Sequence, residues 1–76
     1  MLYPNPARDE ITVVYNFSED GDIEITDIAG RVVAMKPLSD KKQKEVINTG
    51  NLSPGMYLYK VLQHNILISA GKIVKE

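Results

Sequence analysis

Apolar side chains recur at every second position over much of the chain, which is the signature of strands with one buried face. Ile11, Val13, Tyr15 and Phe17 alternate with Thr12, Val14 and Asn16, and this predicts a strand over residues 10–17. Residues 22–26 repeat the pattern, with Ile23 and Ile25 inward and Glu24 outward. An apolar run around Val32 and Val33 predicts a strand over 31–35. Residues 56–62 are rich in β-formers, and either Tyr57, Tyr59 and Val61 or Met56, Leu58 and Leu62 face the core. Residues 66–69 and 72–74 supply a last strand or two, parted at Ala70-Gly71, where a bulge or a change of sheet fits.

The joints between these runs carry turn chemistry. Asp20-Gly21 suits a tight hairpin between the first two strands, with positive φ at the glycine. Asp27-Ile28-Ala29-Gly30 has the Asp and Gly placement of a type I turn whose glycine enters the left-handed region. Ser53-Pro54-Gly55-Met56 puts Pro and Gly at the centre of a type II turn. His64-Asn65 is a weaker two-residue turn. The segment 39–50 begins and ends with helix-cap residues, yet Val46 and Ile47 are its only strongly apolar side chains and give no stripe to bury. It reads as a polar loop followed by a strand over 45–48. Six or seven short strands predict an all-β fold, a small antiparallel sandwich of immunoglobulin-like type.

Length and charge narrow the function. Seventy-six residues form a single domain without room for a cleft between lobes. No apolar run approaches the ~18 residues of a membrane helix, and the first residues do not read as a signal peptide. The absence of cysteine excludes thiol chemistry, disulfides and thiolate metal sites. A net charge of -1 speaks against nucleic acid as a partner. The charge is divided: residues 1–38 hold three basic and seven acidic side chains, and residues 39–76 hold six basic and three acidic. The halves therefore attract when they pair.

Candidate chemistry is sparse. His64, the only histidine, lies at a turn and would need a distant hydroxyl and acid to act as a base. The loop Glu19-Asp20-Gly21-Asp22 is acidic but lacks the spacing of an EF-hand loop and reads as a solvated tip. Tyr3, Tyr15, Tyr57 and Tyr59 could stack on sugars or bases, but Tyr15 and Tyr57 fall in alternating strands and belong to the sheet. The glycines form no phosphate-binding spacing. No enzyme activity, metal or cofactor is expected.

Four motifs in register carry more. Tyr3-Pro4-Asn5-Pro6-Ala7 precedes the first strand, Asp27-Ile28-Ala29-Gly30-Arg31-Val32-Val33 sits mid-chain, Leu52-Ser53-Pro54-Gly55-Met56-Tyr57 leads into a strand, and Gly71-Lys72-Ile73-Val74-Lys75 closes the chain. Their order and spacing resemble the C-terminal sorting domain (type A) of type IX (Por) secretion substrates, and the resemblance covers almost the whole chain. It implies a secretion signal at the C-terminus of a larger exported protein of a Gram-negative bacterium, with a cargo domain N-terminal to it. The implied partners are the outer-membrane translocon, its shuttle protein and a cell-surface sortase that removes the domain while attaching the cargo to the surface. The implied route passes through the periplasm to the cell surface or the medium.

The residues divide between fold and contact. Pro4 and Pro6 stiffen the lead into the first strand, Gly30 and Gly55 supply positive φ, and Asp27 accepts backbone hydrogen bonds. With Asn5, Arg31, Leu52 and Tyr57 these are expected to be mainly structural. Gly71, Lys72, Ile73, Val74 and Lys75 are the expected contact with the machinery, in a peripheral strand whose loss leaves the domain largely folded. The strand from Ile66 to Val74 has few charges before Lys72, so homodimers by strand pairing or exchange are expected. A carbohydrate-binding or adhesive sandwich, or an assembly module of a surface protein, are the alternatives; the first needs an exposed aromatic platform and the second only an edge strand.

Overall fold

The alternating runs become seven strands in two antiparallel sheets, seen in a computed structural model that describes residues 2–76. They are β1 (Leu2–Tyr3), β2 (Glu10–Val14), β3 (Gly21–Asp27), β4 (Val32–Leu38), β5 (Lys44–Asn48), β6 (Gly55–Gln63) and β7 (Ile66–Lys75). One sheet has the order β1-β2-β5 and the other β4-β3-β6-β7. The inward positions of both sheets meet in one core, in which Ile11, Ile23, Ile25, Leu38 and Ile73 are fully buried. On β6 it is Tyr57 and Val61 that are buried, with Tyr59 packed partly against the core, whereas Met56 and Leu58 are exposed.

Two turns form as the sequence predicts. Gly30 donates its N–H to the Asp27 carbonyl at 3.0 Å and takes φ of 91°, joining β3 to β4. His64 and Asn65 take φ of 51° and 62° and close the β6–β7 hairpin. The polar segment after Ser39 is a loop leading into β5.

Other expectations fail for identifiable reasons. Asp20-Gly21 is not a hairpin tip: β2 pairs with β1 and β5, and the chain crosses to the other sheet before β3. Alternation reports which face is buried and is silent on the hydrogen-bonding neighbour, so Tyr15 and Phe17 keep the rhythm after the ladder has ended. Their rings pack 4.9 Å apart, and the Tyr15 hydroxyl donates to the Ser39 carbonyl at 2.9 Å. Burial and the nearby carboxylates of Glu45, Asp20 and Asp40 raise the pKa of that phenol.

The type II turn at Ser53-Pro54-Gly55-Met56 is also absent. Gly55 takes φ of 150°, far from the roughly +80° such a turn needs, and the Ser53 carbonyl accepts from the Tyr57 hydroxyl at 2.6 Å. A tyrosine bonding back a few residues upstream is a recurrent corner device of sandwiches. The chain turns earlier, where Leu52 N–H reaches the Thr49 carbonyl at 3.0 Å, and Gly55 already opens β6.

Nor does Ala70-Gly71 break the last strand, which extends over ten residues; its bulge falls two residues earlier, at Ile68, which is left without a partner between the Val61–Ser69 and Leu62–Leu67 pairs. Gly71 is needed for a different reason. The Tyr59 ring crosses it so closely that a Cβ there would sit 2.6 Å from Tyr59 Cε2. Finally, β4 extends through Pro37, which is tolerated because β4 is an edge strand.

Candidate recognition surface

The four motifs, far apart in the chain, meet at one end of the sandwich. Register places Asp27 opposite Tyr57 and Tyr57 opposite Ile73, so three motifs share one row across β3, β6 and β7. Gly55 lies opposite Lys75 in the same ladder. Leu52 packs partly against the core beneath this end.

The fourth motif is bound to the edge of β7. Asn5 uses both ends of its carboxamide: Nδ2 donates to the Lys72 carbonyl and Oδ1 accepts from the Val74 N–H, each at 3.0 Å. Ala7 continues the contact, donating its N–H to the Val74 carbonyl at 2.6 Å and accepting from the Glu76 N–H at 2.9 Å. An exposed Arg8–Glu76 pair at 3.5 Å follows. Pro4 and Pro6 flank Asn5 on the surface, and the Tyr3–Pro4 and Asn5–Pro6 bonds are both cis.

The terminal strip is therefore not peripheral. Ile73 is fully buried in the core and Lys75 is only 9% exposed, so the expectation that residues 72–76 are dispensable for folding is corrected. A short apolar-charged terminal stretch looks the same in sequence whether or not a facing sheet covers it. Lys72 and Val74 do point outward, and Gly71 lies under Tyr59.

The mid-chain turn is a compact polar knob. Asp27 Oδ1 accepts from the N–H groups of Ala29 at 3.0 Å and Arg31 at 2.9 Å. Arg31 Nε lies 3.2 Å from Asp27 Oδ2, with most of the guanidinium side chain in solvent. The Arg31 N–H above all, helped by the Ala29 N–H and the Arg31 charge, holds the Asp27 carboxyl below its ordinary value against a smaller desolvation effect. Gly30 has open space around it, so only its backbone conformation constrains the residue type.

The remaining candidates stay apart from this end. His64 Nε2 contacts Glu19 Oε2 at 2.6 Å, an exposed pair that joins a hairpin tip to the crossover loop. Among the described residues no three His, Cys, Asp or Glu side chains are grouped to hold a metal. Tyr15 and Tyr57 are buried and Tyr59 half-buried, leaving Tyr3 as the one exposed tyrosine.

The burial of two residues is not legible in the sequence. Ala7 is fully buried, and Thr49 is 1% exposed with its hydroxyl donating to the Arg8 carbonyl at 2.8 Å. A lone alanine and a threonine at a strand end interrupt no periodicity, so neither leaves a signal. A family model described as Secretion system C-terminal sorting domain matches residues 1–76. No curated protein and no solved structure matches the chain.

Proposed function

Because the chain belongs to the secretion system C-terminal sorting domain family, we propose that the end of the sandwich where its motifs meet is the surface read by the export machinery. Family membership makes the chain a non-catalytic secretion signal for type IX export of cargo across the outer membrane, in contact with the machinery of that system. The finer reading is ours: a single sorting domain follows its cargo in a longer protein, passes through the periplasm, and engages the translocon and its shuttle protein. A cell-surface sortase then removes it as the cargo is attached to the surface or released.

One observation supports the choice of surface. Asn5 holds Lys72 and Val74, so the first and last motifs form one unit rather than two separate signals. At this end of the sandwich Lys72, Val74 and Arg31 offer solvent-facing side chains, while Ile73, Tyr57 and Gly71 hold the fold. Homodimers by pairing or exchange have only the part of β7 that residues 5–8 leave uncovered.

The test is a fusion of the chain behind a periplasm-targeted reporter in a host with the type IX system. Surface delivery is expected for the parent, and accumulation in the periplasm for Lys72→Glu, whose side chain lies outside the core. Normal delivery of that folded variant would remove Lys72 from the contact, and retention of the parent would overturn the proposed route.

A further inference from the structure

The side of the sandwich between β1 and β7 is closed at one end and open at the other. Residues 5–8 cover the outer edge of β7 from Lys72 onward. The N–H and C=O of Val74 both point away from β6, since they pair with Asn5 and Ala7. Register is unbroken from Val74 back to Ala70, and antiparallel ladders alternate. The N–H and C=O of Ala70 and the N–H of Lys72 therefore also point outward, where no described residue meets them.

Residues 66–71 carry no charge, unlike the other edges: β4 has Lys36 and Pro37, β5 has Lys44 and Glu45, and β1 is two residues long. Natural sheets blunt exposed edges with such residues. Beside the open stretch, the sheets part over an apolar groove of about 160 Å³, lined by Leu2, Tyr15, Phe17, Tyr59, Val61 and Ile68 among others. On the outer face Lys60 and Lys72 flank a shallower groove at Ala70.

We propose that the open stretch of β7 is a strand-addition site for an extended peptide segment of a partner protein, apolar on the side facing the groove and acidic on the side facing Lys60 and Lys72. Only an extended backbone satisfies a row of outward N–H and C=O groups. The period of two then sends alternate side chains to the groove and to the lysines. A second copy of the chain is a poorer occupant. Its own residues 66–71 carry no acidic side chain to meet Lys60 and Lys72, and pairing edge to edge brings the copy's lysines towards them. The inference rests on the sorting reading, with the partner segment belonging to the export machinery.

The probe is an eight-residue peptide of alternating valine and threonine with one central glutamate, titrated into the isotope-labelled chain and followed by backbone NMR. Shifts are expected at residues 67–72, Leu2, Phe17 and Tyr59. Ala70→Pro removes the outward N–H without touching the bonds to β6 and should weaken binding about tenfold or more. Ala70→Glu keeps the backbone donor but sets a carboxylate against the peptide's glutamate on the outer face and should also weaken binding, as should a central lysine in the peptide. Shifts elsewhere, or parental affinity in both variants, would overturn the site. Concentration-dependent shifts at the same residues without peptide would assign the edge to a second copy and overturn the proposal. In the fusion assay, normal surface delivery of both variants would reject the use of this edge in export. Failure of the parent fusion would instead reject the sorting reading, and the peptide titration would still decide the edge.

Discussion

At Gly30 the constraint is conformational alone. Its φ of 91° lies where a side chain with a Cβ is strained, and nothing within 4 Å crowds it. Gly30→Val should therefore cost about 1–2 kcal/mol, read as a lower Tm, and a melting curve equal to the parent's would contradict the turn geometry. Its neighbour Asp27 makes the same turn sensitive to acid. With its folded pKa lowered, the carboxylate lends stability that is complete above the unfolded value and is lost as pH falls through the folded one. Asp27→Asn should then show a smaller fall in Tm than the parent as pH drops below about 4, and parallel curves would exclude this contribution.

Among the elements, β7 divides its residues by face. Ile73→Ala should destabilise by about 2–5 kcal/mol, whereas Lys72→Ala should stay within about 0.5 kcal/mol. Deleting residues 72–76 also removes the partners of Gly55, Met56, Tyr57 and Leu58 and should leave the chain unfolded. A cooperative thermal transition in the deleted chain would show that the core tolerates the loss. What the sequence made legible here was the inward set: Ile11, Val13, Ile23 and Ile25 announce themselves by alternation. The choice of face on β6 and the partner of β2 were not legible, because a run apolar on both faces fits either orientation and periodicity carries no register. The four motifs could be read as one family pattern. Their meeting in space could not, since the Asn5 contact with Val74 spans nearly the whole chain and leaves no local trace.

For the whole molecule, strands without helix predict a far-UV spectrum of β type, and a helical spectrum would contradict the fold. Every Lys or Arg ion pair among the described residues has at least one side chain more than half exposed, and so does the His64–Glu19 contact. Such pairs contribute about 0–1 kcal/mol each and are screened by salt. The Tm should thus change little between low and moderate ionic strength, and a steep dependence would assign the charges a larger part than burial. The placement of Ile73 has a consequence for timing as well as for stability. The sandwich cannot close until Ile73 and the rest of β7 are available to it, so while a ribosome still holds them the preceding strands have no complete core to fold around. Any chain broken off before Ile73 therefore lacks a closed sandwich, and whatever reads the fold reads at the same time that β7 has been made.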